Sequence, residues 1–211
     1  MFTGLIQEIG TVLGSERRAG FLRLRVSYDP ARGLLRHGDS MAVNGVCLTA
    51  AELGERSFTA DLSGETQRLT TLGALRPGAR VNLERPVTAS DPLGGHVVLG
   101  HVDAVGSVRR VRQGGAGLEL LVQAPPEIMR LLVPKGSIAV DGVSLTVAAL
   151  ERGAFQLYLI PETVARTTLG SRTVGEQVNL ESDYLAKLVM RFMERLPAGA
   201  NRAPSASRHG E

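Results

Sequence analysis

Leu22, Leu24, Val26 and Tyr28 alternate with Arg23, Arg25 and Ser27. A two-residue period marks a strand with one buried face. Alternation returns over residues 58–62, and residues 4–12 and 79–84 are short apolar-rich runs of the same kind. Between them stands Val43-Asn44-Gly45-Val46, with residues 41–43 on one side and 46–53 on the other. Asn-Gly between β-formers predicts a hairpin, because both central residues of a type I′ turn need positive φ. Residues 65–72 predict a short helix, with Gly73 placed to stop it. The first half therefore predicts about six strands and one short helix.

The pattern then repeats. Gly4, Gly10 and Val12 match Gly100, Gly106 and Val108. The Val43-Asn44-Gly45-Val46-Cys47-Leu48-Thr49 hairpin returns as Val140-Asp141-Gly142-Val143-Ser144-Leu145-Thr146. Glu65-Thr66 matches Glu162-Thr163, and Val81-Asn82-Leu83-Glu84 matches Val178-Asn179-Leu180-Glu181. Repeats of this length are duplicated domains rather than solenoid units. Short strands with glycine-rich corners suggest small closed barrels, which leave no exposed edge. The expected organisation is mainly all-β: a first barrel over 1–96, with a linker over 87–99, and a second over 97–183, its first strand starting near Gly100. In the second copy Pro161 opens the short helix and Gly170 is placed to close it.

After residue 183 the symmetry stops. Asp183 is placed to cap a helix, and Leu185, Leu188, Val189, Phe192 and Leu196 recur at helical spacing. This extra helix, over 184–196, is expected to dock on its own barrel or on another subunit. Residues 197–211 are rich in Pro, Gly, Ala, Ser and Asn, which predicts a disordered tail.

Composition narrows the function classes. Twenty-five of 211 residues are Gly, there is no Trp, and the formal charge is +3 without a polybasic block. No basic stripe with interleaved aromatics points to nucleic acid. The single cysteine suggests a reducing compartment. The N-terminus lacks the pattern of a signal peptide and no apolar run reaches membrane-spanning length, so a cytoplasmic protein is expected. Neither a Walker A motif nor a dinucleotide-binding glycine pattern is present.

The candidate chemistry centres on Cys47 and on Ser144, which replaces it in the second copy. A lone Cys can be a small buried hydrophobe. Two nearly matched sites with one exchanged nucleophile-type side chain can instead treat two similar ligands differently. His96 and His101 are candidate acid/base groups. They lack the clustered spacing of a zinc site. Thr49 and Thr146 can hydrogen-bond a polar heterocycle. Lys135 also reads as a solvated charge and Asp183 as a helix cap.

Taken together, Met1-Phe2-Thr3-Gly4, the Cys47 and Ser144 hairpins, Gly95-His96 followed by Gly100-His101-Val102-Asp103, Ile160-Pro161-Glu162-Thr163 and Thr167-Thr168-Leu169-Gly170 resemble the riboflavin synthase family, alpha-chain type. The resemblance runs from residue 1 to about 196. It implies two six-stranded Greek-key barrels, each binding one 6,7-dimethyl-8-ribityllumazine. It implies a homotrimer held by the C-terminal helix, with active sites between barrels of different subunits, and association with lumazine synthase. The implied reaction is a dismutation, in which one lumazine gives a four-carbon unit to another without cofactor or metal.

Carried over by motif, Cys47, Ser144, His101 and Asp183 are the expected catalytic groups. The resemblance implies substrate contacts from Gly4, Leu5, Ile6, Ser40, Cys47, Leu48, Thr49, Leu62, Ser63, Gly64, Glu65 and Thr66. From the second copy it implies Gly100, His101, Val102, Lys135, Ser144, Leu145, Thr146, Leu159, Ile160, Pro161, Glu162 and Thr163. Ser63-Gly64 in place of Ile160-Pro161 predicts a looser first pocket. The rival is a non-catalytic lumazine- or flavin-binding protein of the same fold. Cys47 together with intact Lys135, Ser144, Thr146 and Ile160-Pro161-Glu162-Thr163 favours the enzyme.

Overall fold

The computed structural model describes residues 1–18 and 20–195. The expected 197–211 tail and Leu196 of the terminal helix lie outside the described residues.

Strands β1 (Glu8–Arg18), β2 (Phe21–Ser27), β3 (Ser40–Val43), β4 (Val46–Thr49), β5 (Glu52–Gly54), β6 (Ser57–Leu62) and β7 (Arg80–Glu84) build the first half. They form one seven-stranded sheet in the order β4-β3-β7-β1-β2-β6-β5. In the second half β8 (Ala104–Gly114), β9 (Gly117–Gln123), β10 (Ser137–Val140), β11 (Val143–Glu151), β12 (Ala154–Leu159) and β13 (Gln177–Ser182) close a barrel in the order β10-β11-β12-β9-β8-β13. The two paths correspond, with β4 and β5 standing where β11 is continuous. The expected single arm over 46–53 is broken because Ala50 bonds to a neighbouring turn. Its N–H donates to the Asp39 carbonyl and its carbonyl accepts from the Gly38 N–H, both at 2.8 Å.

Short helices follow the matching strands β6 and β12, α1 (Gly64–Leu69) and its counterpart α3 (Pro161–Arg166), while α2 (Pro126–Met129) lies between β9 and β10. Gly73 and Gly170 do not stop the first two. Thr70 and Thr167 do, in extended conformation at ψ 164° and 162°, and their hydroxyls accept from the N–H groups of Leu72 and Leu169. Gly73 and Gly170 sit inside the 3-10 turns that follow.

Each barrel has its own apolar interior. Val12, Leu24, Met41, Phe58 and Leu83 fill the first; Val108, Leu120, Ile138, Phe155 and Leu180 fill the second. A third cluster of Phe2, Ala42, Val98 and Ala139 draws on both halves, with half-buried Cys47 packed against it. The two predicted turns have the required geometry. Asn44 and Gly45 have φ 45° and 76°, Asp141 and Gly142 have 46° and 79°. The turns abut so closely that a Cβ on Gly45 would lie 2.6 Å from the Gly142 nitrogen.

The expected first strands of the two copies start too early. β1 begins at Glu8 and β8 at Ala104. Phe2 and Val98 pair with each other as an isolated bridge, N–H to carbonyl at 2.7 and 3.1 Å. The residues that follow each of them cross to the opposite barrel instead of entering their own.

Helix α4 (Tyr184–Met193) closes the described chain, with Asp183 Oδ1 accepting from the Leu185 N–H at 2.9 Å. Its root is fixed by Lys187, whose Nζ lies 2.7 Å from Asp103 Oδ1. Its apolar stripe does not dock on its own barrel, since Leu185, Leu188, Val189 and Phe192 are all exposed.

Candidate functional site

In β4 the side chains of Val46 and Leu48 enter the first core, which turns Cys47 and Thr49 outward. In β11 Val143, Leu145 and Val147 enter the second core, which turns Ser144 and Thr146 outward. The four candidate polar residues thus lie on outer faces. Leu48, Leu62, Leu145 and Leu159 are buried core residues, so any contact they offer a ligand is through backbone.

What lies against Cys47 and Ser144 comes from the other half. The Cys47 N–H donates to the Gly100 carbonyl at 2.9 Å, and the Ser144 N–H donates to the Gly4 carbonyl at 2.8 Å. A Cβ on Gly4 would lie 2.6 Å from Ser144 Cβ, and one on Gly100 would lie 2.5 Å from Cys47 Cβ. Only glycine permits that approach. Two residues further along, Ile6 packs on the second core and Val102 on the first. The expected lining segments are therefore exchanged: Gly4, Leu5 and Ile6 serve the Ser144 side, and Gly100, His101 and Val102 serve the Cys47 side. Leu5 and His101 are exposed on these segments.

The two sides differ in their histidines. His101 is carried by the segment that holds the Cys47 N–H. His96, assigned no role by the motif resemblance, bonds Ser144 directly, Nδ1 to Oγ at 2.7 Å. Its backbone N–H donates to the Thr3 carbonyl at 3.2 Å. Burial holds its imidazole below the ordinary histidine range, opposed by the nearby Asp183 carboxylate. Asp183, half-buried at the start of α4, thus reaches the Ser144 side electrostatically while serving as the helix cap. The signal for His96 was its place in the glycine-rich linker; its partner is 48 residues away.

Ser63 caps α1, its Oγ accepting from the Thr66 N–H at 3.1 Å and lying 2.9 Å from Thr66 Oγ1. Ile160 has nearly the same backbone, φ −70° and ψ 158° against −62° and 163° at Ser63. At the start of the short helix a hydroxyl cap holds in the first copy the backbone that Pro161 follows in the second. Glu65 and Glu162 are exposed and pair with Arg68 and Arg166 on their own helices. Ser40 lies opposite Thr49 in the β3–β4 pair. Lys135 occupies the turn before β10 at φ 67°, its N–H bonded to the Val147 carbonyl at 2.8 Å. A cavity of about 390 Å³ opens beside the crossing segment, lined in part by Thr3, Leu5, Ile6, Arg32 and Arg166. Among the described residues no group of three or more His, Cys, Asp or Glu side chains is arranged to hold a metal. No described helix is long and apolar enough to cross a membrane.

Two matched barrels with polar outer faces, each completed by a segment from the other, define a duplicated lumazine-binding-domain protein. The family model described as the lumazine binding domain matches residues 3–86 and again 99–183. A riboflavin synthase from Mycobacterium bovis is 46% identical over 197 residues, covering 92% of this chain and 98% of that protein. One from Bacillus subtilis is 37% identical over 195 residues, covering 92% and 91%. The chain belongs to the riboflavin synthase family. Among solved structures, LumP complexed with riboflavin shares the fold at a TM-score of 0.81 and 22% identity, covering 86% of this chain and 99% of that one.

Proposed function

We propose that this chain catalyses the riboflavin synthase reaction. Two molecules of 6,7-dimethyl-8-ribityllumazine react, one losing a four-carbon unit to the other, to give riboflavin and 5-amino-6-(D-ribitylamino)uracil. The observation that carries this reading is the exchange of Cys47 for Ser144 between matched hairpins, each set against a glycine from the opposite half. Two identical substrates must take different roles, and a duplicated site with unlike side chains separates them. Ser144 has His96 at hydrogen-bond distance; Cys47 has His101 on the segment beside it. His101 and His96 are suited to move protons at the lumazine rings. Cys47 and Ser144 are suited to attack a ring carbon or to orient water there, and Thr49 and Thr146 to bond the heterocycle edge.

Most of the catalytic task is to bring two ring systems face to face, which can supply on the order of several kcal/mol. The exposed stripe of α4 supports a homotrimer in which a Cys47 face of one subunit meets a Ser144 face of another. Incubation with the lumazine alone tests the function. One riboflavin for every two lumazines consumed is the expected result. Tight binding without riboflavin would favour a non-catalytic binding protein.

A further inference from the structure

The crossing segments are held at their roots by two buried carboxylates that the proposed chemistry does not use. Glu84 ends β7 and Glu181 lies near the end of β13; they are only 2% and 3% exposed. Glu84 Oε1 accepts from the Thr3 N–H and the Thr3 hydroxyl, both at 2.7 Å, and Oε2 accepts from the Gly4 N–H at 3.0 Å. Glu181 repeats this, Oε1 accepting from the Leu99 N–H at 2.7 Å and Oε2 from the Gly100 N–H at 3.0 Å.

The carbonyls of the clamped residues Thr3, Gly4 and Gly100 are turned to the reactive side of the other barrel. Thr3 and Gly4 offer their carbonyls to the N–H groups of His96 and Ser144, and Gly100 offers its carbonyl to that of Cys47. We propose that Glu84 and Glu181 are crosswise positioning residues, each setting the geometry of the reactive side chain on the opposite barrel. Glu84 would thus govern the His96–Ser144 pair, and Glu181 would govern Cys47 and the adjacent His101.

Two features support a positioning role. A carboxylate is acceptor-only, so it receives both peptide N–H groups at once; a glutamine would set its NH2 against one of them. The ionised form is also held at some expense, because burial pushes both carboxyls above the usual glutamate range despite those bonds. A merely apolar packing would have avoided that expense. The functional meaning rests on the Cys47 and Ser144 faces being the lumazine sites, but the wiring can be tested without it.

Cys47 is the sole cysteine, so its alkylation rate by iodoacetamide reports the first face. Ser144→Cys in a Cys47→Ser background reports the second. Glu181→Gln is expected to change the Cys47 rate by about tenfold, the equilibrium equivalent of one lost charge-assisted hydrogen bond. The same change should leave a thiol at position 144 within about twofold of its parent. Glu84→Gln should do the reverse.

Thr3→Val removes the hydroxyl that donates to Glu84 and accepts from the Leu5 N–H at 3.2 Å, and tests the same direction with less risk to folding. It should affect the position 144 thiol alone. A change at the thiol on the same barrel as the mutated glutamate, an equal change at both, or no change at either would overturn the proposal. If a glutamine variant fails to fold, the Thr3→Val result decides the matter. Protection of Cys47 by added 6,7-dimethyl-8-ribityllumazine is a separate reading. Its absence would count against the assigned ligand site while leaving the crosswise wiring to stand or fall on the thiol rates.

Discussion

Asn82 and Asn179 each bond the other half's hairpin. Asn82 Nδ2 donates to the Asp141 carbonyl at 2.9 Å, and Asn179 Nδ2 donates to the Asn44 carbonyl at 2.8 Å. Their Oδ1 atoms accept from the N–H groups of Thr168 and Thr71, both at 2.8 Å, again in the opposite half. Both residues are 1% exposed. Orphaning such buried groups costs about 1–3 kcal/mol each.

Asn82→Ala should therefore destabilise the chain by about 2–4 kcal/mol, lowering Tm by roughly 5–15 °C. Asn179→Ala should cost about the same. Because both act at one interface, the double variant should depart from additivity. Thermal denaturation of all three variants checks this; additive losses of a few tenths of a kcal/mol would show that the network does not join the halves.

Cys47→Ser should lower kcat on the order of tenfold or more while leaving the Kd for the lumazine within about threefold. The thiol is half-buried against the Phe2–Val98 cluster, so the smaller hydroxyl should not disturb packing widely. Stopped turnover assays with parallel ligand titration separate the two effects. Equal activity in variant and wild type would remove Cys47 from the chemistry.

The buried His96 gives stability a pH signature. Its folded pKa is depressed, so the unfolded chain takes up the proton first as the solution is acidified. The neutral imidazole's contribution is present above the ordinary value of about 6.5. It is lost as pH falls through the lower folded value. The stability difference between wild type and His96→Gln should shrink across that window in urea unfolding series. Glu84 and Glu181 act with the opposite sign: their raised folded pKa values contribute below about 4.5, and that contribution is lost as pH rises through those values. A difference for His96→Gln that stays flat from neutral to mildly acidic pH would contradict the assignment.

Leu185→Asp with Phe192→Asp places two charges in the exposed stripe of α4. The pair should yield monomers by light scattering and reduce activity on the order of tenfold or more, as for anchor residues at an interface centre. The folded barrel should survive, because neither side chain enters a core. A fully active monomer would contradict the shared site.

Much of this molecule is legible in its sequence because the informative signals are local. Asn44-Gly45 and Asp141-Gly142 announce their turns through a backbone requirement few other residues meet. Alternation in β2 and helical spacing in α4 report which face is apolar. Residues 4–12 look like one strand because Leu5 and Ile6 are as apolar as true strand residues. What diverts them is Glu84, about eighty residues away, and no local pattern records that bond. The pairing of His96 with Ser144 is non-local in the same way. Gly73 and Gly170 mislead for a different reason: they resemble helix stops, while the actual breaks at Thr70 and Thr167 depend on a hydroxyl cap.

The most direct measurement follows carbon through the reaction. The chain is given 6,7-dimethyl-8-ribityllumazine labelled with 13C at C6, C7 and both methyl groups, and nothing else. Dismutation predicts that all the label enters riboflavin, filling its xylene ring from two substrate molecules. 5-Amino-6-(D-ribitylamino)uracil should form in equal amount without label. Riboflavin carrying only one labelled four-carbon unit, or lumazine bound and recovered unchanged, would contradict the account.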